Sequence, residues 1–308
     1  MSLTDTLIKV SVVIPVYNDP IGLQDTLESL VTQNFSRDQY EIIVADNGST
    51  DNTLDVAKNY ANKYQHLVKY VVEDKIQSSY AARNKGVDSA KGELISFLDA
   101  DMTVSKDWIR QIISVFDDNN PDYVGCKVYL YSKRKSFATL YNIVTGFQVK
   151  SAMEDSHYAQ TCCLTVKSNI FSKIGFFDNR LESGGDWEFG NRVWDARLKF
   201  HYTDKITIYH PARDTLKALL MKSIRIGRGG RGQLSCLYPE RYKHFNNIYL
   251  SWRRYVPRNP YSIRSQYRCG YSFKTVTILM FCIFPVLSHY ISLIGFMQSK
   301  IYYYFSRD

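Results

Sequence analysis

Residues 94 to 101 run Leu-Ile-Ser-Phe-Leu-Asp-Ala-Asp, a short apolar stretch that stops at two carboxylates one residue apart. A strand buried in a parallel sheet spends its backbone polar groups on its neighbours, so polar side chains gather where the strand leaves the sheet. Asp99 and Asp101, with Ala100 between them, stand at such an exit. Two hard oxygen ligands suit Mg²⁺ or Mn²⁺, and an ion held there would neutralise a diphosphate. An Asp-x-Asp triplet alone arises by chance about once in a chain of this size, so its place behind the apolar run is what gives it weight.

The elements that must position these acids follow from periodicity. Lys9 to Pro15 is a β-branched run, followed by an Asn18-Asp19 turn and a helical repeat from Ile21 to Gln33. The unit recurs with Tyr40–Ala45 and Asp51–Tyr64, then Leu67–Val72 and Gln77–Ala90, then Glu93–Leu98. Such alternation predicts an α/β fold, a mostly parallel central sheet flanked by helices, with ligands at the carboxyl ends of the strands. Three polar clusters fall at those ends: Tyr17-Asn18-Asp19, Asp46 to Asp51, and Asp99-Ala100-Asp101. Farther on, Lys106–Phe116 is expected as a helix, Tyr123–Leu130 and Ala159–Val166 as strands, Asp186–Ala196 as a helix, and Lys199–Tyr209 as a strand ending at His210.

With 308 residues and 45% hydrophobic content, the chain can fill one large or two modest cores. Its net charge of +9 is uneven, for Lys217 to Lys274 holds 13 Lys or Arg against the single acid Glu240. An aromatic-rich, charge-free segment follows that stripe, which favours an anionic membrane surface over nucleic acid as partner. The six cysteines, Cys126, Cys162, Cys163, Cys236, Cys269 and Cys282, lack zinc-ligand spacing, and reduced cytosolic thiols are the simplest expectation. Met1 to Lys9 shows no apolar secretory segment.

Taken in order, Val12-Val13-Ile14-Pro15-Val16-Tyr17-Asn18, Glu41 to Asp51, Ala82-Arg83-Asn84-Lys85-Gly86, Asp99-Ala100-Asp101 and Gly184-Gly185-Asp186 resemble the family 2 inverting glycosyltransferases over about residues 9 to 215. The resemblance implies a GT-A fold over 1–215, with a Rossmann-like nucleotide-sugar half (about 1–104) and an acceptor half (about 105–215). It implies a UDP-sugar donor, Mn²⁺ or Mg²⁺, and a glycan or lipid-linked acceptor. By the same likeness Pro15, Val16, Tyr17 and Asn18 line the nucleoside pocket, and Asp46 accepts from the uracil ring; a turn-capping role suits Asp46 as well. Arg83 would face the donor's phosphate or ribose, or be a solvated charge. His210 falls where the family places a third metal ligand beside Asp99 and Asp101, although a lone His is often structural.

Transfer of a sugar to a hydroxyl with inversion needs a base opposite the leaving diphosphate. Asp186 is the candidate, with helix capping as its plain alternative. The family often has Glu where Gly185 stands, and Glu188 is the acid that would replace it. A phosphate acceptor, as in polyprenyl-phosphate transferases, needs no base, so Asp186 favours a hydroxyl acceptor. A non-catalytic nucleotide-sugar-binding scaffold is the remaining alternative.

Gly227-Arg228-Gly229-Gly230-Arg231-Gly232 matches a dinucleotide fingerprint, but a helical run rather than a strand precedes it. A mobile loop bringing Arg228 and Arg231 over the donor diphosphate is the expectation, with a basic membrane-facing loop as the alternative. Residues 216–308 are then a basic helical extension whose uncharged run, 275–297, extends about 35 Å as a helix, enough for a bilayer. Membrane association at the cytoplasmic face is expected, against packing on the domain or in a homo-oligomer.

Overall fold

The run that opens the chain becomes β1 (Val10–Val16), buried along its whole length, and β2 (Tyr40–Asp46) is equally buried. Continuous burial without alternation is what strands covered on both faces require. With β3 (Val68–Val72) and β4 (Leu94–Phe97) they form a parallel block in the order β3-β2-β1-β4. The intervening helices are α1 (Pro20–Val31), α2 (Thr53–Lys63) and α3 (Ser79–Asp88). Val16 lies opposite Asp46, and Val13 opposite Phe97, so β1, β2 and β4 discharge their polar clusters at the same edge. The computed structural model describes residues 7–257, 259–260 and 275–305. Arg258, Arg264, Arg268, Cys269 and Lys274, counted above among the basic and thiol groups, lie outside the described residues.

Glu41 is a buried acid near the start of β2. It accepts from the Ser11 hydroxyl (2.6 Å) and the Lys91 N–H (2.6 Å) and pairs with Lys69 (2.8 Å), so its buried charge is matched on three sides.

Beyond β4 the sheet continues with β5 (Thr103–Val104), β6 (Tyr123–Tyr131), β7 (Leu164–Lys167) and β8 (Phe200–Pro211), in the order β4-β7-β6-β8-β5. Here β4 with β7, β7 with β6, and β8 with β5 pair antiparallel, so the parallel expectation holds only as far as β4. Apolar content fixes burial, whereas direction follows from how the chain returns. The strand expected from Ala159 starts only at Leu164, because Thr161–Cys163 closes a 3-10 turn. The helices of this half are α4 (Trp108–Asn119), α5 (Phe137–Thr145), α6 (Val149–Ser156), α7 (Ile170–Ile174) and α8 (Gly185–Asp195). The periodicity had shown neither α5 nor α6.

The chain divides into two compact units, one of Met1–Tyr129, Phe147–Arg180 and Gly185–Pro211, the other of Leu130–Gly146, Leu181–Gly184 and Ala212–Asp308. The second unit thus draws Leu130–Gly146, Leu181–Gly184 and residues 212–215 from the 105–215 stretch. Its centre is aromatic: Phe137 and Tyr141 of α5 meet Phe281 and Phe284 of the C-terminal helix (Thr275–Phe305) at ring-centroid distances of 4.8 to 5.7 Å.

Within that unit the glycine-rich run is not a loop. After α9 (Leu216–Arg225) the chain continues as a π-helical segment, Ile226–Gln233, whose Gly227, Gly229, Gly230 and Gly232 are buried. The glycines serve close approach rather than mobility. A Cβ on Gly227 would lie 1.9 Å from the Ser292 carbonyl oxygen, one on Gly232 2.5 Å from Ser299 Cβ, and one on Gly295 2.2 Å from the Ile224 carbonyl oxygen. Arg228 and Arg231 are correspondingly committed. Arg228 Nε donates to Glu182 Oε2 (2.5 Å), and Arg231 donates to Tyr249 Oη (3.2 Å) and Ser292 Oγ (3.1 Å) while facing the Tyr249 ring. The expected loop over the donor is therefore corrected to a rigid packing element, in which both guanidinium groups already have partners.

The segment from Thr277 to Phe305 is long and apolar enough to cross a membrane, with mean hydropathy 2.0. Its inner face carries Ile278, Phe281, Cys282, Phe284, His289, Ser292, Phe296 and Ser299, all buried. Leu279, Ile283, Leu287, Tyr290, Ile294, Met297 and Ile301 recur at helical spacing on the exposed face.

Because the obstructing atoms at Gly295 and Gly227 belong to backbone, an added methyl cannot be relieved by a rotamer change. Gly295→Ala is expected to lower stability by about 1–3 kcal/mol, read by urea or thermal unfolding. An unchanged unfolding curve would contradict the packing.

Candidate active site

At the end of β2, Asp46 is 1% exposed and its two oxygens have different surroundings. Oδ2 accepts the backbone N–H groups of Gly48 (3.1 Å) and Ser49 (3.0 Å), the turn-capping role anticipated as the alternative. Oδ1 is buried with no hydrogen-bond partner among the described residues. A buried, unpaired acceptor costs about 1–3 kcal/mol, and a ligand N–H would recover that cost. Both roles therefore fit one side chain.

Pro15 and Val16 close β1, and Tyr17, half-exposed, stands beyond them. Asn18 takes a left-handed conformation (φ 51°), with its N–H donating to Ser49 Oγ (3.0 Å) and its Oδ1 accepting the Thr50 N–H (2.8 Å). The exits of β1 and β2 are thereby tied into one rim.

Arg83 is no solvated charge: α3 carries it at 6% exposure, where Nη2 donates to Asp99 Oδ1 (2.7 Å) and Nη1 to Ser79 Oγ (3.1 Å). Its Nε is buried without a partner among the described residues. Glycine at 86 lets α3 lie against β1, since a Cβ there would meet Val13 Cγ1 at 2.4 Å. At the start of α1 the same device operates: a Cβ on Gly22 would lie 2.7 Å from the Ala100 carbonyl oxygen, which brings Asp19 toward the acid pair.

Asp101 and His210 face each other, with Oδ2 and Nε2 3.8 Å apart. His210 Nδ1 lies 2.6 Å from the Pro211 carbonyl oxygen, and since a carbonyl only accepts, Nδ1 donates the hydrogen of that bond and Nε2 is the nitrogen turned to Asp101. Burial pushes the Asp101 pKa up, His210 opposes the shift, and the neighbouring Asp99 and Asp19 charges add to it. A carboxylate crowded by others is a site that a cation relieves. The triad Asp99, Asp101 and His210 is not assembled as a unit, however: no group of three such side chains among the described residues is spaced to hold an ion jointly. Arg83 has claimed one oxygen of Asp99, because a buried guanidinium needs a carboxylate, which leaves Asp101 and His210 as the converging pair.

Asp186 lies in the first turn of α8, whose start is set by Gly184 at φ 86°. Its Oδ1 accepts the Trp187 N–H (3.0 Å). Burial raises the pKa values of Tyr80, Tyr123 and Tyr158, and the Asp186 charge raises all three further, so this carboxylate sits among phenols. Glu188 requires a correction. It is 4% exposed and forms a two-pronged pair with Arg192 (2.7 and 2.9 Å), which in turn donates to the Phe176 carbonyl (2.7 Å). Its charge is spent anchoring α8 to the preceding turn, so it does not stand in for the acid missing at Gly185.

Sequence reasoning overlooked Tyr80 and gave Asp19 no role. The available signal was Tyr80 at three residues before Arg83, on the same helical face.

The family model for glycosyl transferase family 2 matches residues 11–177. Glycosyltransferase AglE of Haloferax volcanii is 34% identical over 228 residues, 74% of this chain and 74% of its own. Minor teichoic acid biosynthesis protein GgaB of Bacillus subtilis is 26% identical over 208 residues, 66% of this chain and 23% of its own. Among solved structures, mannosyltransferase PcManGT from Pyrobaculum calidifontis, in complex with GDP-Man and Mn²⁺, matches with a TM-score of 0.65 at 15% identity, covering 95% of this chain and 88% of that one. S. aureus TarS 1-349 in complex with UDP matches at 0.56 and 16% identity, over 97% and 92%. At these identities the two structures bear on the fold alone.

The Glu188–Arg192 pair yields a direct expectation. Glu188→Gln should cost about 2 kcal/mol in urea unfolding. An unchanged unfolding midpoint would contradict the anchoring role of the pair.

Proposed function

The chain belongs to glycosyl transferase family 2 and is a glycosyltransferase with the GT-A fold, and we propose that it transfers a sugar with inversion from a UDP-sugar to a hydroxyl of a glycan or lipid-linked acceptor. The observation that carries this reading is the buried, unpaired Asp46 Oδ1 at the same sheet edge as the Arg83–Asp99 pair. A carboxylate oxygen suits a pyrimidine ring N–H, and the rim built by Pro15, Val16, Tyr17 and Asn18 would frame that ring. The guanidinium of Arg83 suits a diphosphate oxygen on its Nε side.

Asp101 through Oδ2 and His210 through Nε2 are the groups that would hold Mn²⁺ or Mg²⁺, with Asp99 next to them. A bound ion supplies charge neutralisation for the departing diphosphate. Asp186 accepts the acceptor's hydroxyl proton as its oxygen bonds to the anomeric carbon and the bond to the diphosphate breaks on the opposite face. TarS was solved with UDP and with UDP-GlcNAc, PcManGT with GDP-Man and Mn²⁺, and GgaB is named for teichoic acid synthesis; these support a nucleotide-sugar donor and a cell-surface glycan product.

The apolar face of the C-terminal helix supports attachment to a membrane surface, with its inner face holding the protein and its outer face meeting acyl chains. An in-plane helix accounts better than a span for Ser288, His289, Ser292 and Ser299, which are used in packing.

Asp186→Asn should retain UDP binding yet lose sugar transfer by about a hundredfold or more, measured as UDP release from a panel of UDP-sugars with a membrane extract as acceptor. Full turnover in that variant would exclude Asp186 as the base. Replacing Ile283 and Ile294 together with Glu should free the folded protein from anionic vesicles in a flotation assay. Unchanged flotation would remove this face from the attachment.

A further inference from the structure

Tyr80 lies at the second position of α3, one turn before Arg83, and is 5% exposed. Two contacts give its side chain two faces. The Arg83 guanidinium carbon sits 5.5 Å from the centre of its ring, and its hydroxyl oxygen accepts the Gly185 N–H at 2.9 Å. The same ring fills the space next to Gly185, where a Cβ would lie 2.7 to 2.9 Å from Tyr80 Cζ and the two Cε atoms. A Glu at 185 therefore has no room. Phe177 stacks on the ring with centroids 5.8 Å apart, a further contact that holds its orientation.

We propose that Tyr80 is a positioning residue that sets the Asp186 carboxylate relative to the donor side, and that Tyr80 and Gly185 form a matched pair. This rests on the reading of Asp186 as the base. The route is short and continuous: Asp99 to Arg83 at 2.7 Å, Arg83 over the Tyr80 ring, the Tyr80 hydroxyl to the Gly185 N–H, and Asp186 next in the chain. A donor whose diphosphate engages Arg83 thus acts on the residue whose ring and hydroxyl hold the turn that presents the base. Burial, and after it the neighbouring Asp186 charge, push the phenol's pKa up, so it stays a neutral hydrogen-bonding group. Mere core packing predicts something different, because Tyr→Phe preserves the ring and its contacts and removes only the hydroxyl.

The test compares Tyr80→Phe, Gly185→Ala and Asp186→Asn, each assayed for UDP affinity in Mn²⁺ by calorimetry and for UDP release from the UDP-sugar panel with the membrane extract. In Tyr80→Phe, UDP affinity should stay within about twofold and thermal stability should hold, while kcat for release falls about tenfold, as a displaced catalytic group requires. Gly185→Ala should lose release in the same way, and Tyr80→Leu in the same chain should restore part of it by vacating the space. Wild-type kcat in Tyr80→Phe, or a fall in UDP affinity in step with release, would overturn the inference. The two readings fail separately. An active Asp186→Asn removes the base and this inference with it, whereas an inactive Asp186→Asn beside a fully active Tyr80→Phe removes the inference alone.

Discussion

The ion pair between Arg83 and Asp99 is the interaction on which the first unit turns. A guanidinium at 6% exposure has lost most of its hydration, and only a well-placed carboxylate and hydroxyl make that tolerable. Its position depends on α3 lying close to β1, which Gly86 permits, and on the Ser78 side chain that caps the start of α3 by accepting the Tyr80 N–H. Once Arg83 is fixed, Asp99 is oriented, Asp101 and His210 remain as the pair facing each other, and Tyr80 is pressed against Gly185. On the proposed function, one helix, α3, would then serve both the donor side, through Arg83, and the turn that carries Asp186, through Tyr80.

The second unit is governed by a different constraint, the close approach of backbones. Ser223 and Ser288 share a hydrogen bond at 2.7 Å, and Gly227 and Gly295 lie where side chains would strike carbonyl oxygens. Gly229 lies similarly close to Ser183, Gln233 accepts the Glu182 N–H at 2.8 Å, and Arg228 pairs with Glu182. The glycine-rich helix therefore clamps Leu181–Gly184, the four residues that lead into the turn carrying Asp186.

The parallel half of the fold was legible in the sequence because buried strands and amphipathic crossovers leave unambiguous periods, and the ordered motifs between Val12 and Asp186 identified the GT-A fold. The direction of β6 to β8 was not legible, since apolar content says nothing about the sense in which a strand runs. Gly227 to Gly232 misled for a physical reason: glycine permits both flexibility and close packing, and only the partner decides which. Glu188 misled in a similar way, because a carboxylate near the expected base and one paired with Arg192 look identical until the helix brings position 192 beside it. For Asp46 the structure bears out the capping alternative through Oδ2, while Oδ1 has no partner among the described residues, a difference between two oxygens that a sequence does not display.

The proposed function requires a nucleoside diphosphate to bind at the common exit of β1, β2 and β4, assisted by a divalent ion at Asp101 and His210. Calorimetric titration of UDP into the full chain, with Mn²⁺ and then with excess EDTA, tests it most directly. Mn²⁺ is expected to tighten UDP binding by about tenfold or more, corresponding to roughly 1.4 kcal/mol, and Asp101→Ala to abolish the difference. Equal UDP affinity with and without Mn²⁺ in the unaltered chain, or no measurable UDP binding in either, would contradict it.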